Sequence, residues 1–456
     1  MQTGLPFTLR DVLTLLGYHV GSTHTANIDC CMCKRKKTLN FNFEKEVFRC
    51  AACGFFGNAM VFYASQMNMT NKEAYHDISE RLRLNEPVQT ARFKRVEKEE
   101  VEEIPLADIK IRSQTNSAFL SECTLSEKHR QNLLERGFSE AGIVNAGYMS
   151  YPKKTDLQDI CFRILQQGCE LKGVPMFYRD KNNKWTAQYS KSGILVPYRD
   201  FNNRIQGFQV RIDDELIEPD EPKYKWISSK YRKDGCGAKT FIHYACDFAW
   251  DVNAQVFKPI IRNNTVVVTE GGMKGELFYH LTGQATIALP GVNCTDLFTK
   301  ELKKLKKIGV KNIVLAYDMD FLTNIHVMTA LSKIREIVLR EDFKYTILTW
   351  DAAMKYQDGS NVDIPLFKNS NFNVFIYTPK TLKKDLERGI VNNTLEQVKK
   401  LGITNLFYSV SDINDVAAHE LWPDFKKIAA GFHYKPIIWN LTYKGIDDFY
   451  AAKKCQ

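Results

Sequence analysis

TVVVTEGG at residues 265–272 and IVLAYDMD at residues 313–320 decide the fold. Each opens as a run of β-branched and apolar residues, the pattern of a strand buried on both faces in a parallel sheet covered by helices. Each ends in carboxylates: Glu270 in the first, Asp318 and Asp320 in the second. In open α/β sheets, ligands gather beyond the C-terminal ends of the strands. Asp318 and Asp320 are two apart, so in an extended segment they face the same way, and Glu270 on a neighbouring strand faces them across the crevice. Three converging carboxylates repel one another unless cations lie between them. Hard oxygen ligands favour Mg²⁺ or Mn²⁺. Gly271 and Gly272 let the chain turn sharply into the next helix, and that helix carries Lys274, a candidate phosphate contact. An acidic pair after a strand is common as solvated surface, and Lys274 reads equally as an exposed helix lysine. The matching Glu-Gly-Gly turn is what favours a metal site.

The same alternation of strand and helix patterns runs through residues 263–351 and again through 352–443, which predicts a mostly parallel sheet with helical cover. Upstream, 106–262 mixes short helical and strand patterns, among them GILVPYRD and RIQGFQVRID. Residues 89–105 are charged and lack glycine, as expected of a solvated linker or exposed helix. The divisions expected are therefore 1–88, a cysteine-bearing module; 89–105, a linker; 106–262; 263–351; and 352–456.

In the first module Cys30, Cys33, Cys50 and Cys53 form two CxxC knuckles separated by sixteen residues. Zinc takes four tetrahedral thiolate or imidazole ligands, and two such turns complete the shell. Between them, TLNFNFEKEVFRC alternates apolar and polar residues and predicts a hairpin that returns the second knuckle to the first. Cys31 is an alternative to Cys30, and His24 a weaker one. Phe41, Phe43 and Phe48 either stack on bases or fill the ribbon's core, and Lys34, Arg35, Lys36 and Lys37 suit phosphates.

The 456 residues carry a formal charge of +10, 44% hydrophobic and 25% charged residues, and twelve cysteines. That composition suits globular domains with real cores, and the charge fits a nucleic-acid partner without demanding one. No run of eighteen apolar residues occurs, so no membrane-spanning helix is expected. The start of the chain lacks the pattern of a signal peptide, and with the clustered cysteines this points to a reducing cytoplasm.

At these residues a family resemblance appears. The segment ending FRCAACGFFGNAMVFYA resembles the zinc-binding domain of bacterial DnaG-type and phage primases, and TEGGMKGEL with AYDMD resembles the Toprim domain that those primases share with topoisomerases and some nucleases. GILVPYRDFNNRIQGFQVRIDD with PKYKWISS resembles the basic subdomain of the DnaG catalytic core. LPGVN at 289–293, TNIHV at 323–327, TWD at 349–351 and KGIDDFY at 444–450 resemble a Toprim family of plasmids and other mobile elements. The resemblance implies that Glu270, Asp318 and Asp320 hold catalytic metals. It implies that Arg199, Arg211, Lys223 and Tyr224 contact template or nucleotide phosphates, with ordinary surface charge as the competing reading. Asp447 and Asp448 match the late motif, either supporting the metals or capping a helix.

The chain departs from that family in an insertion between TWD and KGIDDFY, and the insertion reads as an internal repeat. VFIYTPKTLKKDL (374–386) parallels VVVTEGGMKGEL (266–277), VKKLGITNLFYSVSD (398–412) parallels LKKIGVKNIVLAYDMD (305–320), and YKPIIWN (434–440) parallels YTILTWD (345–351). Pro379 stands where Glu270 stands, Ser411 opposite Asp318, and Asn440 opposite Asp351, so this copy is expected to bind no metal.

The expected architecture is α/β: an N-terminal zinc ribbon, a mixed α+β basic subdomain, a Toprim sheet and a degenerate Toprim-like repeat. The expected activity is primer synthesis on a single-stranded DNA template from NTPs, with Zn²⁺ in the ribbon and Mg²⁺ or Mn²⁺ at the carboxylates. No GxxxxGK[ST] phosphate loop occurs, so a separate replicative helicase is the expected partner. A Toprim nuclease and a non-catalytic single-strand-binding accessory are the rival readings.

Overall fold

The computed structural model describes residues 7–21, 23–33, 35–51, 53–84, 104–218, 221–291, 294–350, 354–362, 373–387, 389–410, 416–439 and 442–454. Lys34, most of the linker (89–103), Val292, Asn293, Asp351, Ser411 and Asn440 lie outside the described residues. The chain divides into two compact units, Met1–Glu100 and Val101–Gln456.

The first unit begins with helix α1 (Leu9–Leu15), capped by Thr8, whose hydroxyl accepts from the Asp11 backbone while the Asp11 carboxylate accepts from that of Thr8. Strands β1 (Thr25–Ile28), β2 (Leu39–Asn42), β3 (Val47–Cys50) and β4 (Phe56–Gly57) form an antiparallel sheet in that order. The expected hairpin is β2–β3, with Leu39 opposite Cys50. Helices α2 (Ala59–Met67) and α3 (Asn71–Leu84) follow. Phe41 and Phe48 are fully buried, with ring centroids 5.0 and 5.2 Å from that of Phe62. These two aromatics fill the core and are closed to bases.

In the second unit, helices α4 (Ile109–Ser121), α5 (Glu127–Glu135) and α6 (Glu140–Ala146) precede β5 (Met149–Ser150), α7 (Leu157–Gln166) and the hairpin β6 (Phe177–Arg179), β7 (Trp185–Ala187). Strands β8 (Gly193–Arg199), β9 (Ile205–Ile212) and β10 (Tyr224–Trp226) join β5 in an antiparallel sheet of order β10-β9-β8-β5. Side chains of β8 alternate between two cores, as period two requires. Leu195 packs with Phe119 and Phe208, whereas Ile194, Val196 and Tyr198 pack with Met273 and Leu277.

Next come β11 (His243–Ala245), the hairpin β12 (Phe248–Asp251), β13 (Val256–Pro259), and then β14 (Thr265–Glu270), α8 (Gly272–Thr282), β15 (Thr286–Leu289), α9 (Thr295–Lys307), β16 (Asn312–Leu315), α10 (Ile325–Arg340) and β17 (Lys344–Ile347). The sheet order is β11-β15-β14-β16-β17, parallel except for β11. Beyond it, β18 (Val374–Tyr377), α11 (Pro379–Glu387), α12 (Val391–Lys400), β19 (Asn405–Val410), α13 (Val416–Ile428) and β20 (His433–Ile438) build a parallel three-stranded sheet of order β18-β19-β20. Helix α14 (Ile446–Lys454) closes the unit against α8. One apolar core runs through both parallel sheets, from Val266 and Leu315 to Ile376, Leu406 and Phe425.

The two parallel sheets agree row for row. Thr265, Asn312 and Lys344 lie abreast in the first, and Val374, Asn405 and His433 in the second. Counting from those rows, Pro379 takes the place of Glu270, and each strand pairing matches the sequence parallel.

Candidate active site and zinc site

The strand-to-helix turn after β14 is built from two glycines with different duties. Gly271 has φ +82°, a conformation that side chains resist. Gly272 opens α8 so close to the Tyr198 ring that a Cβ there would lie 3.0 Å from its Cζ. The turn sets Glu270 at the C-terminal edge of the sheet. Asp318 and Asp320 leave the neighbouring β16, but the expected extended segment is instead a 3₁₀ turn over Met319–Leu322, with Asp318 at its start. Two bonds to backbone carbonyls fix the approach of the C-terminal segment here: Met319 N–H donates to that of Lys444 at 3.0 Å, and the Trp350 indole Nε1–H to that of Tyr443 at 2.9 Å.

Lysines sit among the carboxylates. Lys274 Nζ bonds Asp318 Oδ1, while Lys444 Nζ lies 2.8 Å from Asp320 Oδ2 and 3.7 Å from Asp318 Oδ2. Burial and the nearby Asp318 raise the Glu270 carboxyl to about 7, and its Oε1 is buried without a hydrogen-bond partner. Asp447, at the start of α14, is raised to about 6, chiefly by burial, and its Oδ1 is likewise orphaned. Burial opposes the charge on Lys274, yet Asp318 and Asp447 outweigh it and its pKa rises. Four carboxylates thus share two ammonium groups, leaving negative charge and unpaired oxygens, an environment that suits divalent cations. Among the described residues, only the four cysteines bring metal-ligand atoms all within 4.8 Å of one another. Glu270, Asp318 and Asp320 are neighbours at one edge, more widely spaced than that.

The basic residues expected to meet phosphates fall into two places. Arg211, on β9, is only 2% exposed; its Nη2 holds Asp214 Oδ2 at 2.9 Å and its buried Nε has no partner. Lys223 Nζ lies 2.6 Å from the other oxygen of Asp214. Tyr224, abreast of Arg211, places its hydroxyl 3.7 Å from Met273 Sδ and lies within electrostatic reach of Arg211, Lys274 and Asp447. Arg199 is elsewhere, lining a cleft of about 340 Å³ with Asn145, Asn203, Glu276 and Tyr279. Asp448 neighbours Asp447, whose carboxyl it helps to raise. Lys444 and Tyr198 were not expected from sequence as parts of the site. The motif KGIDDFY held Lys444 in view, but only the fold brings it to Asp320.

In the first unit, the Sγ atoms of Cys30 and Cys53 are 3.7 Å apart, as are those of Cys33 and Cys50. Tetrahedral zinc with bonds of about 2.3 Å requires sulfur separations of about 3.8 Å. The four thiols fit Zn²⁺. Cys31 is outside the group, and His24 Nδ1 instead meets Glu44 Oε1 at 2.8 Å.

Comparison with curated proteins gives 21% identity over 320 residues to a DNA primase of Clostridium acetobutylicum, covering 68% of this chain and 49% of that one. The chain is similar to DNA primases. It spans about half the length of the primase it matches. No family model matches the chain. Among solved structures, the zinc-binding and RNA polymerase domains of the Aquifex aeolicus primase align over 92% of this chain and 94% of that chain, at 11% identity and TM-score 0.40. The RNA polymerase domain of Mycobacterium tuberculosis primase DnaG in complex with double-stranded DNA aligns over 53% and 73%, at 17% identity and TM-score 0.39. No described helix is long and apolar enough to cross a membrane.

Proposed function

We propose that this chain is a DNA primase, a nucleotidyltransferase that makes short primers on single-stranded DNA from nucleoside triphosphates. The observation that carries the reading is the gathering of Glu270, Asp318 and Asp320 at the C-terminal edge of one parallel sheet, with Lys274 and Lys444 between them. The similarity to a DNA primase supports it.

Glu270, Asp318 and Asp320 are the residues that would hold Mg²⁺ or Mn²⁺. Bound there, divalent ions supply activation of a 3′-hydroxyl and stabilisation of the charge on departing pyrophosphate. The protein's own work is positioning and neutralisation. Lys274 and Lys444 turn their ammonium groups from carboxylate to phosphate oxygens. Lys223 and Arg211 exchange Asp214 for phosphate, and Tyr224 spans the gap between that pair and the carboxylates. Asp447 steadies Lys274. Arg199 contacts template or nucleotide phosphate from its separate cleft.

The residue divisions 1–88, 106–262, 263–351 and 352–456 serve as zinc ribbon, basic subdomain, metal-bearing domain and metal-free repeat. The zinc-bearing unit holds the template. The setting is the cytoplasm, beside a separate replicative helicase.

The test is incubation with single-stranded DNA, labelled NTPs and Mg²⁺, on wild type and Asp318→Asn, with metal content measured on the same preparations. New short oligonucleotides from wild type alone support the proposal. A shortened template means a nuclease, and identical behaviour of both proteins means a binding accessory.

A further inference from the structure

We propose that Tyr198 is a positioning residue for the carboxylate turn: its phenol, supplied by the neighbouring antiparallel sheet, holds the backbone of Gly272 and through it the aim of Glu270. The inference rests on the reading of Glu270 as a metal ligand.

The first four N–H groups of a helix have no partner within it. Helix α8 begins at Gly272, and its N-cap, Gly271, has no side chain to accept from them. Tyr198 does so instead. Its hydroxyl accepts from Gly272 N at 3.2 Å and donates to Gln209 Oε1 at 2.8 Å. The ring is fully buried, with the Trp226 ring centroid at 4.5 Å, so the phenol has one available direction. Gly272 lets the ring come that close.

The next residue along β8 provides a second tether. Arg199 N–H donates to His243 Nδ1 at 3.0 Å, so the neutral imidazole carries its proton on Nε2, which lies 3.2 Å from Glu276 Oε1. Glu276 is one turn further along α8. Tyr198 thus holds α8 directly at position 272, and Arg199 reaches position 276 through His243 of β11, which is 1% exposed and stands edge to face against Tyr198 at 5.4 Å. Glu270 Oε1 has no hydrogen-bond partner of its own. The backbone that follows it is held at two points: Gly271 N–H donates to the Leu289 carbonyl of its own sheet at 2.8 Å, and Gly272 N–H to Tyr198 of the other.

Groups that orient a metal ligand typically change metal affinity by about 10- to 100-fold when lost. Tyr198→Phe keeps the buried ring and removes only the hydroxyl. Mn²⁺ binding to the full chain, followed by electron paramagnetic resonance, is expected to weaken about tenfold, with zinc content unchanged. In primer synthesis, kcat falls while KM for NTP stays put. Gly272→Ala, which presses a methyl group against the ring with the hydroxyl kept, weakens Mn²⁺ binding in the same direction and serves if Tyr198→Phe folds poorly. A lower Tm with unchanged Mn²⁺ affinity in both variants overturns the positioning role. If wild type and Asp318→Asn bind Mn²⁺ alike, the metal reading itself fails, and this inference with it.

Discussion

The two parallel sheets of the second unit share the order and register of three strands but differ at the edge where ligands would bind. Each places three parallel strands abreast, starting at Thr265, Asn312 and Lys344 in one and at Val374, Asn405 and His433 in the other. The first continues into Glu270 and into the Asp318–Asp320 turn. The second reaches Pro379 at the position of Glu270, and Thr378 caps the following helix through Thr381 N at 3.1 Å. One edge is left with unpaired carboxylate oxygens; at the other, a hydroxyl satisfies a helix end. A common scaffold therefore says little about chemistry, which lies in a few residues at the strand ends.

The sharpest way to break this comparison is to remove a carboxylate from one edge and alter the matching residue of the other. Asp318→Asn is expected to lower primer synthesis on the order of 10³-fold, the scale for losing a preorganised charge-stabilising group. Pro379→Ala should leave it unchanged. Labelled-NTP incorporation at saturating Mg²⁺ measures both, and a comparable loss from Pro379→Ala would place function in the second sheet.

The shared core provides the next contrast. Leu315 and Leu406 are both fully buried in the one core that runs through the two sheets. Leu→Ala at either site is expected to cost about 3 kcal/mol and to move a single denaturant transition of the second unit. Two transitions, with only one displaced by Leu406→Ala, would show that the sheets unfold separately.

These expectations indicate what could be read in advance. The β14 and β16 strands were legible because a β-branched, apolar run bounded by turn residues has the pattern of a buried parallel strand, and the zinc knuckles because equal CxxC spacings rarely arise otherwise. The repeat was legible because strand register preserves spacing. Long-range approach was not legible. Lys444 meets Asp320 only after the chain has passed through the whole second sheet. Tyr198 looked like another strand residue until α8 was laid against β8. The burial of Arg211 beside Asp214 was not legible either, because only the fold covers both faces of its strand.

A smaller effect separates the sheets by pH. In protein freed of Mg²⁺ and Mn²⁺ with zinc retained, Glu270 titrates at about 7 instead of the ordinary 4.5, and Asp447 at about 6 instead of 3.8. Both folded-state values are raised, so the native protein holds more protons than the unfolded chain across that window. Stability then falls as pH rises through it, by about 2 kcal/mol for Glu270. Glu270→Gln should flatten much of the decline in a urea-denaturation series, and Mn²⁺ should offset it in wild type. A wild-type profile that climbs between pH 5 and 7 would contradict the burial argument.

The smallest contrast concerns two lysines at equivalent positions, four residues beyond Glu270 and Pro379. Lys274 is 19% exposed at its side chain and bonded to Asp318, whereas Lys383 is exposed. A partly buried ammonium held by a carboxylate has already lost much of its water, so transferring it to an incoming phosphate costs less further desolvation; an exposed lysine lacks that preparation. Lys274→Met keeps the aliphatic stem and removes the charge, and is expected to slow primer synthesis about tenfold. Lys383→Met should have no effect. If both variants slow synthesis equally, the difference between the sheets is one of overall charge. If only Lys274→Met does, the chemistry belongs to the edge that carries the carboxylates.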